Sequence, residues 1–209
     1  MRKYEAVLFD LLTALIDSWT VWDETAGSVQ RGRAWRAEYL RRTYGCGAYR
    51  PYETLVAEAA EAVGLGRHYA RRLESSWARL APWPEAPAIL SALADTHKLG
   101  VVTNCSERLG RIAAERVGVP FGVIVTAERA GYYKPDVRPY RLALEELGAT
   151  VSQTLFVSGS AYDLVGTAAL GLATYWHNRA GLSAPEGAPR PMVERQTLDD
   201  LPTIAGRAS

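Results

Sequence analysis

The chain contains a series of short apolar runs separated by amphipathic stretches. The apolar positions of several longer stretches recur about every 3.6 residues, as they do on one face of a helix. The short runs lie at residues 5–9, Leu99–Thr103, Gly122–Thr126, Thr154–Ser158 and Ala173–Trp176, and the helical patterns at Glu107–Val117, Arg138–Leu147 and Tyr162–Leu170. Strands alternating with helices predict an α/β fold, a Rossmann-like, doubly wound parallel sheet with helices on both faces.

One long segment interrupts this alternation. Between Asp17 and Pro84 there is no convincing strand pattern, and the periodicity is helical at Arg33–Tyr44, Tyr52–Val63 and Tyr69–Leu80. Prolines at positions 82, 84 and 87 mark the return to the alternating pattern. We therefore expect a core domain of residues 1–16 and 85–209, with residues 17–84 inserted after the first strand as a helical cap domain.

Composition and charge narrow the class of protein. Nearly half of the residues are hydrophobic and the formal net charge is +1, which suits a globular enzyme. Basic residues are interspersed with acidic ones, so no nucleic-acid partner is expected. No apolar run approaches the roughly 20 residues of a membrane span, and no signal-peptide pattern precedes the first strand. With two cysteines far apart, we expect a cytoplasmic protein with reduced thiols.

Polar residues follow the predicted strands at the points where they end. Asp10 follows the first strand, Thr103-Asn104 the second, and Ser158 and Asp163 a later one, while Lys134 lies in a loop. Ligands of open α/β sheets bind outside the carboxyl ends of the strands. Two carboxylates, an ammonium, hydroxyls and an amide are thus expected at one edge, which indicates chemistry rather than packing.

These residues occur within four short motifs. In chain order the motifs are Phe9-Asp10-Leu11-Leu12-Thr13-Ala14-Leu15-Ile16-Asp17, Val102-Thr103-Asn104, Tyr133-Lys134-Pro135-Asp136 and Phe156-Val157-Ser158-Gly159-Ser160-Ala161-Tyr162-Asp163. Together they resemble the ordered signatures of the haloacid dehalogenase superfamily. Further stretches are similar to the type II 2-haloacid dehalogenases. They are Trp35-Arg36 with Glu38-Tyr39, Tyr140, and Trp176-His177-Asn178-Arg179.

The resemblance implies a two-step hydrolysis through a covalent ester on Asp10. Lys134 would keep the Asp10 carboxylate ionised, since a cation within about 4–6 Å lowers an Asp pKa. Thr103 and Ser158 would hydrogen-bond Asp10 or Lys134 and fix their geometry. Asp163 would orient Lys134 and the water that attacks the ester.

The same resemblance implies a pocket for a small carboxylate substrate. Asn104 would hold the carboxylate, and Arg36 would pair with the anionic substrate or with a departing anion. We expect Trp19 and Tyr140 to line an apolar wall. Leu12 and Ser160 also face the predicted pocket.

Two positions argue against a magnesium-dependent phosphatase, the commonest activity in this superfamily. Leu12 stands where phosphatases carry a second aspartate, and Gly159 where they carry a metal ligand. Without these oxygens the octahedral site that Mg²⁺ requires is poor. We therefore expect no metal ion and no cofactor.

The chain also departs from the dehalogenase pattern. Dehalogenases usually have tyrosine, glycine and threonine where this chain has Leu12, Thr13 and Ala14, and asparagine where it has Ser160. A hydroxyl and an aromatic wall are thus expected to be lost beside the nucleophile.

Several functions remain open at this point. The first is displacement of a substituent from C2 of a small carboxylic acid, with a 2-haloacid as the default substrate. Its close alternative is ring opening of L-azetidine-2-carboxylate by the same Asp10 chemistry, as in a hydrolase that resembles the dehalogenases. A degenerate phosphatase and a non-catalytic protein that binds small acids are the others. A homodimer is expected from the resemblance alone.

Overall fold

The computed structural model describes residues 3–206 of the chain. Its centre is a six-stranded sheet in which every pair of neighbouring strands is parallel, in the order β3-β2-β1-β4-β5-β6. The strands are β1 (Ala6–Phe9), β2 (Lys98–Thr103), β3 (Val123–Thr126), β4 (Thr154–Ser158), β5 (Ala173–His177) and β6 (Val193–Arg195). The chain order reverses beside β1, so the carboxyl ends of β1 and β4 flank the crevice where such sheets bind ligands.

Helices connect these strands and form the segment after β1. In chain order they are α1 (Ser18–Ala26), α2 (Val29–Gly45), α3 (Tyr52–Ala62), α4 (His68–Ser75), α5 (Ala86–Ala94), α6 (Glu107–Arg116), α7 (Ala127–Ala130), α8 (Val137–Leu147), α9 (Asp163–Leu170) and α10 (Leu201–Gly206).

Both faces of the sheet are covered. Because side chains alternate along a strand, Val7 and Phe9 face one side of β1 and pack with residues of α5, α6 and α10. Ala6 and Leu8 face the other side and pack with residues of α8. This arrangement confirms the predicted doubly wound α/β fold.

The segment after β1 is helical, and the chain enters and leaves it at one place. The backbone N–H of Asp17 donates to Ala81 O at 2.9 Å, and that of Trp83 donates to Leu15 O at 2.9 Å. Helices α1 to α4 all lie between these two crossings. We propose that residues 17–84 form the cap and that residues 1–16 and 85–209 form the core, as the pattern predicts.

The buried core is continuous between these two parts. A single cluster of buried hydrophobic residues joins Val7 and Phe9 of the sheet to Trp22, Trp35 and other aromatic residues of the helical segment. Hydrogen bonds also cross between them, from Trp77 Nε1 to Leu109 O at 2.9 Å and from Tyr133 OH to Arg50 O at 2.7 Å. The helices are therefore packed firmly onto the sheet.

The element boundaries differ from the prediction in a few places. The last helix predicted in the insertion ends at Ser75 and is followed by a separate 3₁₀ turn at Trp77–Arg79. Helices α1, α5, α7 and α10 were not predicted. Strand β6 was not predicted either, because it has only three residues, Val-Glu-Arg, which are mostly polar and at least partly exposed. Within the described part of the chain, no helix is long and apolar enough to cross a membrane.

Candidate active site

Asp10 lies directly after β1, and both of its carboxylate oxygens are hydrogen-bonded. Oδ1 accepts a hydrogen bond from Lys134 Nζ at 2.8 Å. Oδ2 accepts from Thr13 Oγ1 at 2.7 Å and from the backbone N–H groups of Thr13 and Ala14 at 3.2 and 3.3 Å. The chain turns immediately after the strand, so the donors of this turn converge on the carboxylate.

Lys134 reaches Asp10 from the loop that precedes α8. Its ammonium also lies 3.1 Å from Asp163 Oδ1, so it sits between two carboxylates. The side-chain amide of Asn104 holds the Lys134 backbone at two points. Nδ2 donates to Lys134 O at 2.9 Å, and Oδ1 accepts from Lys134 N at 2.7 Å. The loop after β2 therefore fixes the base of the lysine.

Asp163, at the start of α9, has its own set of donors. Tyr140 OH donates to Oδ1 at 2.7 Å, and Ser158 Oγ donates to Oδ2 at 3.0 Å, sharing its one hydrogen with the Ser160 carbonyl oxygen at 2.5 Å. Both donors are fully buried. They fix the second carboxylate opposite Asp10, with the lysine between them.

The electrostatics of this group follow from burial and pairing. Burial alone would raise the pKa of Asp10, but the Lys134 charge and the hydrogen bonds from Lys134, Thr13 and Ala14 hold that pKa below its ordinary value. Burial would lower the pKa of Lys134, but Asp10 and Asp163 raise it. Burial raises the pKa of Asp163, and Lys134 offsets this only in part. Asp10 is thus the carboxylate kept ionised.

Arg36, on α2, is a second buried cation at the site, and its surroundings differ from those of Lys134. Its side chain is buried, with the residue 6% exposed, and Nη1 donates to Ser18 Oγ at 2.9 Å. The hydroxyl of Ser18 in turn donates to the carbonyl oxygen of Leu12. The guanidinium lies 3.9 Å from the ring centroid of Trp19. Among residues 3–206, no carboxylate oxygen comes within 4.0 Å of a nitrogen of this guanidinium.

A cavity of about 120 Å³ lies between these two groups. Its walls come from the carboxyl ends of the strands and from helices α1 and α2. The lining residues are Asp10, Leu12, Thr13, Trp19, Arg36, Tyr39, Leu40, Tyr44, Thr103, Asn104, Lys134, Gly159, Ser160, Tyr162, Asp163 and Leu182.

Most of the predicted site residues lie on this cavity, but their contacts differ from expectation in several cases. Asn104 is on the wall, yet its amide is engaged with the Lys134 backbone rather than free for a substrate. Thr103 is also on the wall. Its buried hydroxyl oxygen has no hydrogen-bond partner within the described chain, so it forms no hydrogen bond with Asp10 or Lys134.

Tyr140 and Ser158 are placed differently from what we predicted. Tyr140 is not on the cavity wall. It packs edge-on against Phe156, with ring centroids 5.1 Å apart, and its hydroxyl serves Asp163. Ser158 is likewise behind the wall and contacts Asp163 instead of Asp10 or Lys134. Both residues contact the Asp163 carboxylate from the side that faces away from the cavity.

Other cavity residues were not anticipated from the sequence. Tyr39, Leu40 and Tyr44 share the helix of Arg36, and positions 36, 40 and 44 recur every four residues on one helix face. That spacing could have identified them. Tyr39 OH donates to Asn104 O at 2.9 Å, which ties α2 to the core at the cavity.

A divalent metal ion does not fit these residues. Leu12 offers no side-chain oxygen beside Asp10. At Gly159, a Cβ atom would lie 2.3 Å from Ala14 N and 2.3 Å from Thr13 Oγ1, so an aspartate has no room there. Within residues 3–206, no group of three or more His, Cys, Asp or Glu side chains is arranged to hold a metal.

Comparison with known proteins places the chain in a family. The family model described as haloacid dehalogenase-like hydrolase matches residues 7–176. The chain therefore belongs to the haloacid dehalogenase-like hydrolases, and its closer likeness is to dehalogenases of 2-haloacids.

Three relatives illustrate this likeness. The (S)-2-haloacid dehalogenase of Pseudomonas sp. (strain YL) is 29% identical over 231 residues, covering 100% of this chain and 99% of the relative. Haloacetate dehalogenase H-2 of Moraxella sp. (strain B) is 28% identical, with coverages of 96% and 97%. The structure of L-2-haloacid dehalogenase from Xanthobacter autotrophicus with chloropropionic acid covalently bound is 22% identical, with coverages of 96% and 98% and a TM-score of 0.81. The last comparison shows a shared fold.

Proposed function

We propose that this protein is a metal-independent hydrolase that displaces a substituent from C2 of a small 2-substituted carboxylic acid. The observation that carries the proposal is the Lys134–Asp10 contact of 2.8 Å, in a cavity whose other side presents Arg36, which has no ion-pair partner among the described residues. An ionised, oriented carboxylate is what displacement at carbon requires of a nucleophile. A buried cation without a carboxylate favours an anionic ligand.

In the first step, an oxygen of Asp10 attacks C2, and the substituent leaves with its bonding electrons. Arg36 binds the anionic group of the substrate or the departing anion, because its guanidinium is held on the cavity wall by Ser18 and Trp19. The product of this step is an ester between Asp10 and C2. The relative from Xanthobacter, with its covalently bound chloropropionic acid, supports the same route here.

In the second step, water attacks the carbonyl carbon of the ester and releases a 2-hydroxy acid. Asp163 lines the cavity opposite Asp10 and has a raised pKa, caused first by burial. A carboxylate with such a pKa is suited to accept a proton from the attacking water. Lys134 remains between the Asp10 ester and the Asp163 carboxylate and keeps its contact with Asp163.

The test is a panel of 2-halo acids assayed with a metal chelator present throughout. We expect halide release to continue in chelator and to be abolished in Asp10→Ala, with a matched surface variant, Lys3→Ala, as the control. Turnover that survives in Asp10→Ala, or that disappears with chelator and returns with Mg²⁺, would reject the proposal.

Ring opening of L-azetidine-2-carboxylate is the second candidate. The observation that favours it is the changed wall beside the nucleophile, where Leu12 and Leu40 line the cavity. Aliphatic side chains there suit the methylene groups of a small ring. Including this compound in the panel separates the two substrates, since only one assay releases a halide. A phosphate ester in the panel tests the phosphatase alternative, which the crowding at Gly159 disfavours.

A small carboxylate as the partner molecule follows from the same proposal. A cytoplasmic location and a homodimer remain predictions from the sequence.

A further inference from the structure

The two oxygens of Asp10 have unequal surroundings. Oδ2 accepts hydrogen bonds from three donors, the hydroxyl of Thr13 and the backbone N–H groups of Thr13 and Ala14. Within residues 3–206, Oδ1 accepts from Lys134 alone. A carboxylate oxygen has two lone-pair directions, so three donors occupy those of Oδ2 fully, whereas one donor leaves a lone pair of Oδ1 free. Oδ1 is therefore the oxygen placed to attack carbon.

We infer that Thr13 supplies the side-chain donor of an oxyanion hole for hydrolysis of the Asp10 ester. This inference rests on the proposed function. Once Oδ1 carries the substrate carbon, Oδ2 becomes the carbonyl oxygen of the ester. The Thr13 hydroxyl, at 2.7 Å, already lies within the 2.7–3.1 Å range typical of oxyanion-hole donors.

Water oxygen forms a bond to the ester carbon, and the carbonyl electron pair moves onto Oδ2, where Thr13 and the two N–H groups stabilise the charge. The tetrahedral intermediate then collapses and the bond between the carbon and Oδ1 breaks. Oδ1 leaves as the hydroxyl oxygen of the 2-hydroxy acid and takes one proton of the water, and the other proton is released through Asp163 to solvent.

The surrounding structure holds this hydroxyl in position. Gly159 makes room for it, because a Cβ at that position would lie 2.3 Å from Thr13 Oγ1. The carbonyl oxygens of the same turn are fixed from outside. Trp83 Nε1 donates to Thr13 O at 2.9 Å, and the Nδ1 atom of His177 lies 2.7 Å from Ala14 O. The hydroxyl that the sequence suggested was lost at position 14 is thus supplied by the preceding residue.

Comparison of Thr13→Val with Thr13→Ser tests the inference, since valine keeps the shape and serine keeps the hydroxyl. Each is mixed with a 2-halo acid that the wild type turns over, quenched during steady state and analysed by intact mass. We expect kcat of Thr13→Val to fall about a hundredfold, the usual loss for one oxyanion-hole donor. We expect kcat/KM to change much less, because it reports ester formation. The ester should accumulate on the enzyme, and Thr13→Ser should recover most of kcat.

Two outcomes would overturn the inference while leaving the proposed function intact. One is an equal fall of kcat and kcat/KM in Thr13→Val with no accumulated ester. The other is a Thr13→Ser variant as slow as Thr13→Val. Accumulated ester also demonstrates that the variant is folded. If instead wild-type enzyme trapped during turnover of any active substrate never carries an ester on Asp10, the proposed function itself fails.

Discussion

The two sides of the cavity differ in how their charged side chains are paired. We call the side formed by the sheet the floor and the side formed by helices α1 and α2 the roof. On the floor, at the carboxyl edge of the sheet, Lys134 lies 2.8 Å from Asp10 and 3.1 Å from Asp163, so the charges of the protein are paired with one another. On the roof, Arg36 is buried against Trp19 and Ser18, and within the described residues no carboxylate oxygen lies within 4.0 Å of its guanidinium, so the charge of Asp10 acts on it only from a longer distance. The floor therefore has ion pairs of its own before a ligand binds, whereas the arginine of the roof has no ion-pair partner among residues 3–206.

This difference assigns the chemical step to the floor and the binding of the anionic substrate to the roof. Burying a cation without a partner costs free energy, and an anionic substrate can recover that cost when it binds. The floor, in contrast, needs its internal pairing to keep the nucleophile ionised before any substrate arrives. Substitutions on the floor should therefore lower both the stability of the protein and its catalytic rate, whereas substitutions on the roof should weaken substrate binding.

The largest effect is expected from Lys134→Met. Removing one partner of a buried ion pair typically costs about 3–5 kcal/mol of stability. When the ammonium is absent, the burial of Asp10 raises the pKa of its carboxyl group. We expect kcat/KM to fall by about a thousandfold, equivalent to about 4 kcal/mol, together with a lower thermal midpoint. Steady-state kinetics and thermal unfolding measure the two effects. Lys134→Arg, which keeps the charge, is the matched variant, and near-normal activity in Lys134→Met would contradict the pairing on the floor.

A smaller effect, of a different kind, is expected from Arg36→Met. A hydrogen bond to a charged group is worth about 1.5–3 kcal/mol, so we expect KM to rise about 10- to 100-fold. Because a buried cation without a carboxylate is removed, the thermal midpoint of the ligand-free protein should not fall. Arg36→Lys should be intermediate, since it keeps charge but loses the planar contact with Trp19. A fall in kcat with unchanged KM, or a loss of stability as large as that of Lys134→Met, would remove the distinction between floor and roof.

The smallest effect is expected from Tyr140→Phe, and it concerns pH. The pKa of Asp10 is lowered and that of Asp163 is raised. As pH falls, Asp163 should therefore gain its proton first, so kcat should decline at higher pH than kcat/KM. The Tyr140 hydroxyl lowers the pKa of Asp163, and its removal should move the acid limb of kcat to higher pH. At neutral pH the loss should be about fivefold, equivalent to about 1 kcal/mol. Parallel pH profiles of kcat and kcat/KM in both proteins check this, and an unmoved kcat limb would contradict it.

The floor could be predicted from sequence far better than the roof. Asp10, Lys134 and Asp163 follow or flank strands whose carboxyl ends share one edge, and the parallel sheet that brings them together is readable from short apolar runs. Arg36 was recognised by its motif. Ser18 was not, because its contact with Arg36 depends on how α1 packs against α2.

Two predictions failed for a related reason. Tyr140 was expected on the pocket wall, but a buried aromatic can face either side of a helix layer, and here its hydroxyl meets Asp163 from behind. The hydroxyl judged absent beside the nucleophile is present on Thr13, because the close approach of Gly159 admits a side chain there. Such distances between segments far apart in the chain are not encoded in any local pattern.

A single turnover in heavy-oxygen water shows whether Asp10 becomes covalently esterified. Enzyme in excess over an accepted 2-substituted acid is allowed to react once, then digested and analysed by peptide mass. We expect one heavy oxygen in the peptide that contains Asp10, and a product hydroxyl with ordinary oxygen. Heavy oxygen in the product hydroxyl of that first turnover, with none in the peptide, would contradict this expectation.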